Sequence, residues 1–184
     1  MKFRNLTITG LLGLFFIAYS TVAAENFERS GLWGGGDIGG GYVQRELFGI
    51  EEDGGQFFMG VKGGYALNPH FLTGLELSGW LFEESDISDS SEGEGLMQVF
   101  LINRFYPSLD SGLFAKVGGG YVSHWNNRPG KPIRKNGYGL TFGGGYDFPF
   151  TDGLAITPIL SYSFGEAEDL KHEAITFSIG LTFP

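Results

Sequence analysis

Apolar residues alternate with small or polar ones in runs of about ten, and the chain does this eight times. The runs are Leu32–Val43, Gln56–Leu67, His70–Phe82, Leu96–Tyr106, Gly112–His124, Gly137–Phe148, Leu154–Phe164 and Ala174–Phe183. A period of two means a strand with two unlike faces. In the last run Ile175, Phe177, Ile179, Leu181 and Phe183 share one face, and Thr176, Ser178, Gly180 and Thr182 the other. Charge falls in mid-run, always on the small or polar face. Lys62 is in phase with Phe58, Gly60 and Gly64, and Glu76 with Gly74 and Ser78, while Arg104 and Lys116 sit likewise. A charge turned toward hydrocarbon at mid-strand costs about 2–4 kcal/mol. The greasy faces are therefore expected to look outward at lipid and the charged faces into a closed lumen.

A turn centred on Pro69 puts Lys62 and Glu76 seven residues away on either side, directly across a hairpin and within ion-pair reach. Asp37, Arg104 and Lys116 fall at similar depth and Asp147 nearer the turns. These six make a predicted luminal ion-pair network of three cations and three anions. By phase, Trp33, Phe58, Trp80, Phe82, Phe100, Ile102 and Phe114 also point inward, and glycine lies opposite several of them. Eight strands leave a lumen that side chains just fill. Outward-phased Tyr42, Phe57, Tyr65, Phe71, Phe105, Tyr121, Tyr138, Tyr146, Phe148 and Phe164 gather near run ends, as interfacial girdles do.

The connections alternate. Asn68-Pro69, Ser108–Ser111 and Thr151–Gly153 are tight turns, whereas Gln44–Gly55, Glu83–Gly95, Trp125–Asn136 and Gly165–Glu173 read as long polar loops. That rhythm belongs to an all-β, eight-stranded antiparallel up-and-down transmembrane β-barrel. Pro158, inside the seventh run, has no N–H for a ladder and predicts a bulge or locally open pairing.

Residues 1–24 read as a cleaved signal peptide: Lys2 and Arg4, an apolar centre over Leu11–Ala18, then Val22-Ala23-Ala24. The barrel domain is expected over 25–184. Cleavage takes the net charge from −9 to −11, which argues against nucleic acid as a partner. There is no cysteine, so disulfides and thiolate-bound metals are excluded.

The signal, the eight amphipathic strands, the three short turns and the terminal Ile175–Phe183 pattern resemble the small outer-membrane β-barrel family typified by the OmpA transmembrane domain and OmpX. The family usually ends in an aromatic residue read by the barrel-assembly machinery, and here Phe183 is followed by Pro184. The resemblance implies a monomer in the outer membrane with both termini periplasmic. Its partners would be outer-membrane lipids and lipopolysaccharide, with the assembly machinery during insertion.

No catalytic motif emerges. A lipid A deacylase would resemble a His-x-Ser pair, but His70, His124 and His172 are followed two residues on by Leu72, Asn126 and Ala174. A palmitoyltransferase would resemble a histidine and serine in the first outer loop, and neither occurs in Gln44–Gly55. The three histidines read as a turn residue and two strand-end residues near water. No cofactor is expected. Arg128, Lys131, Arg134 and Lys135 in the third loop are candidates for lipopolysaccharide phosphates. The acidic Glu83–Glu94 loop has oxygen ligands for a divalent cation without EF-hand spacing. The expected role is structural or surface-interactive, in membrane integrity, adhesion or loop-mediated binding. A narrow channel and a lipid A-modifying enzyme are the competing readings.

Overall fold

The computed structural model describes residues 29–47, 50–82, 94–126, 133–151 and 153–183. The signal segment, Glu83–Glu92, Arg128 and Lys131 lie outside them. The strands are β1 (Gly31–Leu47), β2 (Ile50–Asn68), β3 (Phe71–Phe82), β4 (Glu94–Phe105), β5 (Leu113–Asn126), β6 (Ile133–Tyr146), β7 (Phe148–Thr151), β8 (Leu154–Ala167) and β9 (Leu170–Phe183). Every pairing is antiparallel, and β6 meets β8, which closes the sheet on itself.

Arg45 pairs with His172, and the ladder then runs through Gly165, Gly139, Gly120, Phe100, Glu76 and Lys62 back to β1 at Gly35. One circuit thus climbs down ten residues, 45 − 35 = 10. With eight strands, this stagger tilts them about 40° from the barrel axis. On β1 the outward positions from Leu32 to Tyr42 then cover about 25 Å of height, the thickness of a hydrocarbon band. Leu32 is 77% exposed and Ile38 63%, while inward-phased Arg104 is fully enclosed. The greasy face is outside.

β7 is the continuation of β6. Gly145 pairs with Ile159 and Phe148 with Ile156, so the register is unbroken and only two positions on each strand fall out of the ladder. Those on β8 are Thr157 and Pro158. Proline has no proton for the carbonyl opposite, and the pairing opens there as its chemistry requires. Pro158 stays in register with Ile179 on its other side.

Two of the four expected loops are corrected. Gln44–Gly55 is mostly strand, because the β1–β2 ladder continues to Leu47 and Ile50. Gly165–Glu173 is a tight hairpin in which Ala167 pairs with Leu170 and Glu168 takes a left-handed φ of 57°. Clear of lipid, the outer face of these strands turns polar, and the alternation that marks a strand in sequence fades. At the other end, Asn68 Oδ1 accepts from the His70 and Phe71 amides, at 2.9 and 3.1 Å, and fixes the turn around Pro69.

Candidate functional site

The lumen is filled in tiers, each built from inward positions of the strands. At the short-turn end, the Tyr106 hydroxyl donates to Asp147 Oδ2 at 2.7 Å and the Thr157 hydroxyl to Asp147 Oδ1 at 2.7 Å. Asp147 stands at the ladder break beside Pro158, where its side chain bridges the gap. Arg29 lies beneath, its guanidinium carbon 3.9 Å from the Tyr106 ring centre and Nη2 donating to the Ser111 carbonyl at 2.9 Å.

With Asp147 in this floor and the other five above it, all six predicted luminal charges point inward, and each is buried. Lys62 and Glu76 are direct neighbours in register. Their ion pairs, however, are with others. Lys62 donates to Asp37, which also accepts from Ser178 at 3.1 Å, and Lys116 grips both oxygens of Glu76 at 3.1 Å. A narrow tube lets a lysine reach diagonal and cross-lumen partners as readily as the residue opposite. Arg104 lies against the Trp33 and Phe114 rings, 4.9 and 4.5 Å from their centres. Phe58 and Trp80, with centroids 5.3 Å apart, and Phe100 form an aromatic tier above.

The long-strand end carries a second polar closure, not anticipated from sequence. Glu94 is its hub: it accepts from Arg45, from His124 Nε2 at 2.7 Å and from Asn126 at 3.3 Å. Arg45 also lies over the Phe82 ring at 4.0 Å. Gln98 on β4 meets His172 Nε2 on β9 at 3.1 Å, a bond between walls four places apart in a ring of eight. Both histidines read as near water are in fact buried, His172 at 1% exposure. Carrying the inward phase two residues beyond the fourth and eighth runs would have found Glu94 and His172, and His124 is the last inward position of the fifth run.

Alternation also divides the basic loop residues. Lys135 points inward and pairs with Asp169, so it leaves the lipid-facing set. Arg134 points outward, where Nε donates to Ser123 at 3.2 Å. Asn136 Oδ1 beneath accepts from Ser123 at 3.0 Å and Tyr121 at 2.6 Å. Among the described residues there is no cluster of three or more metal-ligating side chains.

Neither a protein-family model nor a curated protein sequence matches the chain. Solved structures do. Neisserial surface protein A is 14% identical, with 84% of this chain and 97% of that one covered and a TM-score of 0.60. Ail, the attachment invasion locus protein of Yersinia pestis, solved with the heparin analogue sucrose octasulfate, is 17% identical over 84% of this chain and 99% of its own, with a TM-score of 0.56. This chain has the fold of the small outer-membrane β-barrels.

The upper closure gives this barrel a pH dependence. On β9 the apolar outer face begins at Ile175, so His172 lies beyond the membrane band. Burial, then the nearby His124, pushes its pKa down to about 4. The unfolded chain, at about 6.5, binds the proton first. The stabilisation is complete above that value and is lost as pH falls toward 4. Glu94 titrates separately. Burial raises its pKa, but the His124 hydrogen bond and the Arg45 charge together outweigh burial and hold it below the usual glutamate value. Its share is lost only at more acid pH. The urea midpoint of the folded barrel is expected to fall between pH 6.5 and 4, and His172→Gln to flatten that limb. An equal slope in wild type and variant would count against the assignment.

Proposed function

We propose that this protein is an integral outer-membrane barrel with a surface-interaction role and no catalysis or conduction. One observation carries the reading: the lumen is packed from the Asp147 floor through the paired charges and aromatic tier to the Glu94 hub. Among the described residues, buried side chains occupy the lumen at each of these tiers, which supports a plug over a pore. Meanwhile β1, β2, β8 and β9 continue beyond the band as a raised wall. With the short turns placed in the periplasm, both chain ends lie there and the raised wall faces outward. Ail is named for attachment and invasion, which supports a surface role for a barrel of the same fold. Planar-bilayer recording of the purified barrel is expected to show no steady open level. A stable conductance step would replace this reading with the channel. Mass spectrometry of lipid A with and without the protein is expected to show identical species.

Lipopolysaccharide is the proposed lipid partner. Arg134 stands just above outward-facing Tyr121 and Tyr138, at headgroup height, and its hydrogen bond to Ser123 engages Nε. Its terminal nitrogens suit a phosphate. Arg134→Ala is expected to lower co-purified lipopolysaccharide severalfold and Lys135→Ala to leave it unchanged. Equal effects of the two would remove the assignment.

A further inference from the structure

Two buried imidazoles hold the outer end of the lumen, and they hold it in opposite ways. His124 Nε2 donates to Glu94 Oε1 at 2.7 Å, a bond that tolerates a second proton on the ring. His172 Nε2 lies 3.1 Å from Gln98 Nε2. An amide nitrogen only donates, so here the imidazole nitrogen accepts and the ring proton sits on Nδ1. A second proton goes to Nε2 and removes the acceptor. Both side chains are buried, and His172 Nδ1 has no hydrogen-bond partner among the described residues.

The carboxylates of this tier are engaged. Among the described residues, the ionisable groups that reach it are Arg45 on β1, Glu94 on β4, His124 on β5, Lys135 on β6 and Asp169 in the turn between β8 and β9. Glu52 on β2 is the register neighbour of Arg45, while β3 and β8 contribute Phe82 and Ala167. Glu94 accepts from Arg45, His124 and Asn126, and Asp169 accepts from Lys135. The residue directly opposite His172 on β1 is Arg45, so a protonated ring places its charge opposite a guanidinium.

We propose that the Gln98–His172 bond is an acid-released latch: protonation of His172 parts β4 from β9 at the outer mouth and leaves the membrane band folded. The bond ties two walls that no ladder joins. Below it Phe58, Trp80 and Phe100 still fill the lumen, so release opens a vestibule and not a pore. The closed latch holds His172 at about 4, whereas a hydrated imidazole titrates near 6.5. The open state therefore binds the proton more tightly. Its share rises as pH falls through that window, on the order of 100-fold in all. The latch does not depend on the surface role, so either can fail without the other.

The test follows hydrogen exchange of the Trp80 indole N–H by NMR, in the wild-type barrel folded in detergent. Trp80 is buried on the strand beside Gln98 and faces the lumen next to the latch. Trp33 is the internal reference, its indole donating to the Thr73 carbonyl at 3.1 Å in the lower lumen. Relative to a free indole at each pH, the protection of Trp80 is expected to fall on the order of 100-fold between pH 6.5 and 4, with that of Trp33 unchanged. In His172→Gln, which has no proton to gain, Trp80 protection is expected to stay level. Wild-type Trp80 protection that does not fall overturns the proposal. So does a parallel fall at Trp33, which would mean that the whole barrel unfolds.

Discussion

Asp37→Leu is expected to destabilise the barrel by about 3–5 kcal/mol, because it leaves Lys62 charged and unpartnered inside the lumen. Asp37 is the only carboxylate among the described residues in direct ion-pair contact with Lys62, and both side chains are at most 4% exposed. Lys62 would then face Arg104 and Lys116 with no nearby acceptor but Glu76, which Lys116 already occupies. Lys62→Met in the same chain removes the stranded charge, and the double variant is expected to recover most of the loss. A buried pair replaced by apolar groups of similar volume is often close to neutral. Urea midpoints of the four proteins in one detergent form the cycle. A double variant as unstable as Asp37→Leu alone would show that the loss comes from packing around Asp37 and not from charge. The Lys135–Asp169 pair is the contrast. Asp169 is 40% exposed, and breaking that pair is expected to move the urea midpoint far less than Asp37→Leu does.

The membrane band was legible because lipid makes each strand two-faced. Where one face meets hydrocarbon and the other meets the lumen, a single charge such as Lys62 reveals the phase of its whole strand. The same phase, with Pro69 as pivot, placed Lys62 opposite Glu76, as the register does. Partner choice was not legible. Alternation specifies a face, whereas whether Lys62 reaches Glu76 or Asp37 depends on the radius and stagger of the closed tube. Outside the band the signal fails for a different reason. Arg45, Glu94, His124 and His172 belong to strands whose outer neighbours are themselves polar, so nothing marks their inward face. The split between Arg134 and Lys135 needed only the knowledge that β6 begins before them. Pro158 was read correctly as a point of open pairing, but its consequence, an apparent ninth strand in register with the sixth, appears only when the ladders on both sides of β8 are followed.

Two glycines three residues apart on β1 are expected to behave oppositely when a single methyl is added. At Gly39, facing the lumen, a Cβ would lie 2.1 Å from the Phe177 carbonyl oxygen and 2.6 Å from the Ser178 Cα. Both are backbone of β9, held by the β1–β9 ladder, and neither yields without opening that seam. At Gly36, facing lipid, the nearest atom to a Cβ is the Gly60 oxygen at 3.5 Å, an ordinary contact. Neither glycine has a positive φ, so backbone strain does not separate them. Gly39→Ala is expected to cost about 3 kcal/mol or more, or to abolish the folded band on an unboiled gel, since overpacking against fixed atoms has no rotamer to escape into. Gly36→Ala is expected to be neutral or to gain up to about 0.5 kcal/mol from the smaller entropy loss of alanine in a strand. The cause is geometric. A sheet bent into so narrow a tube brings neighbouring strands together on its inner surface, where glycine yields room to the adjacent chain. On its outer surface at Gly36 they splay, and an added Cβ makes only ordinary contacts. Equal midpoints for the two variants would mean that the inner wall is looser than these contacts require.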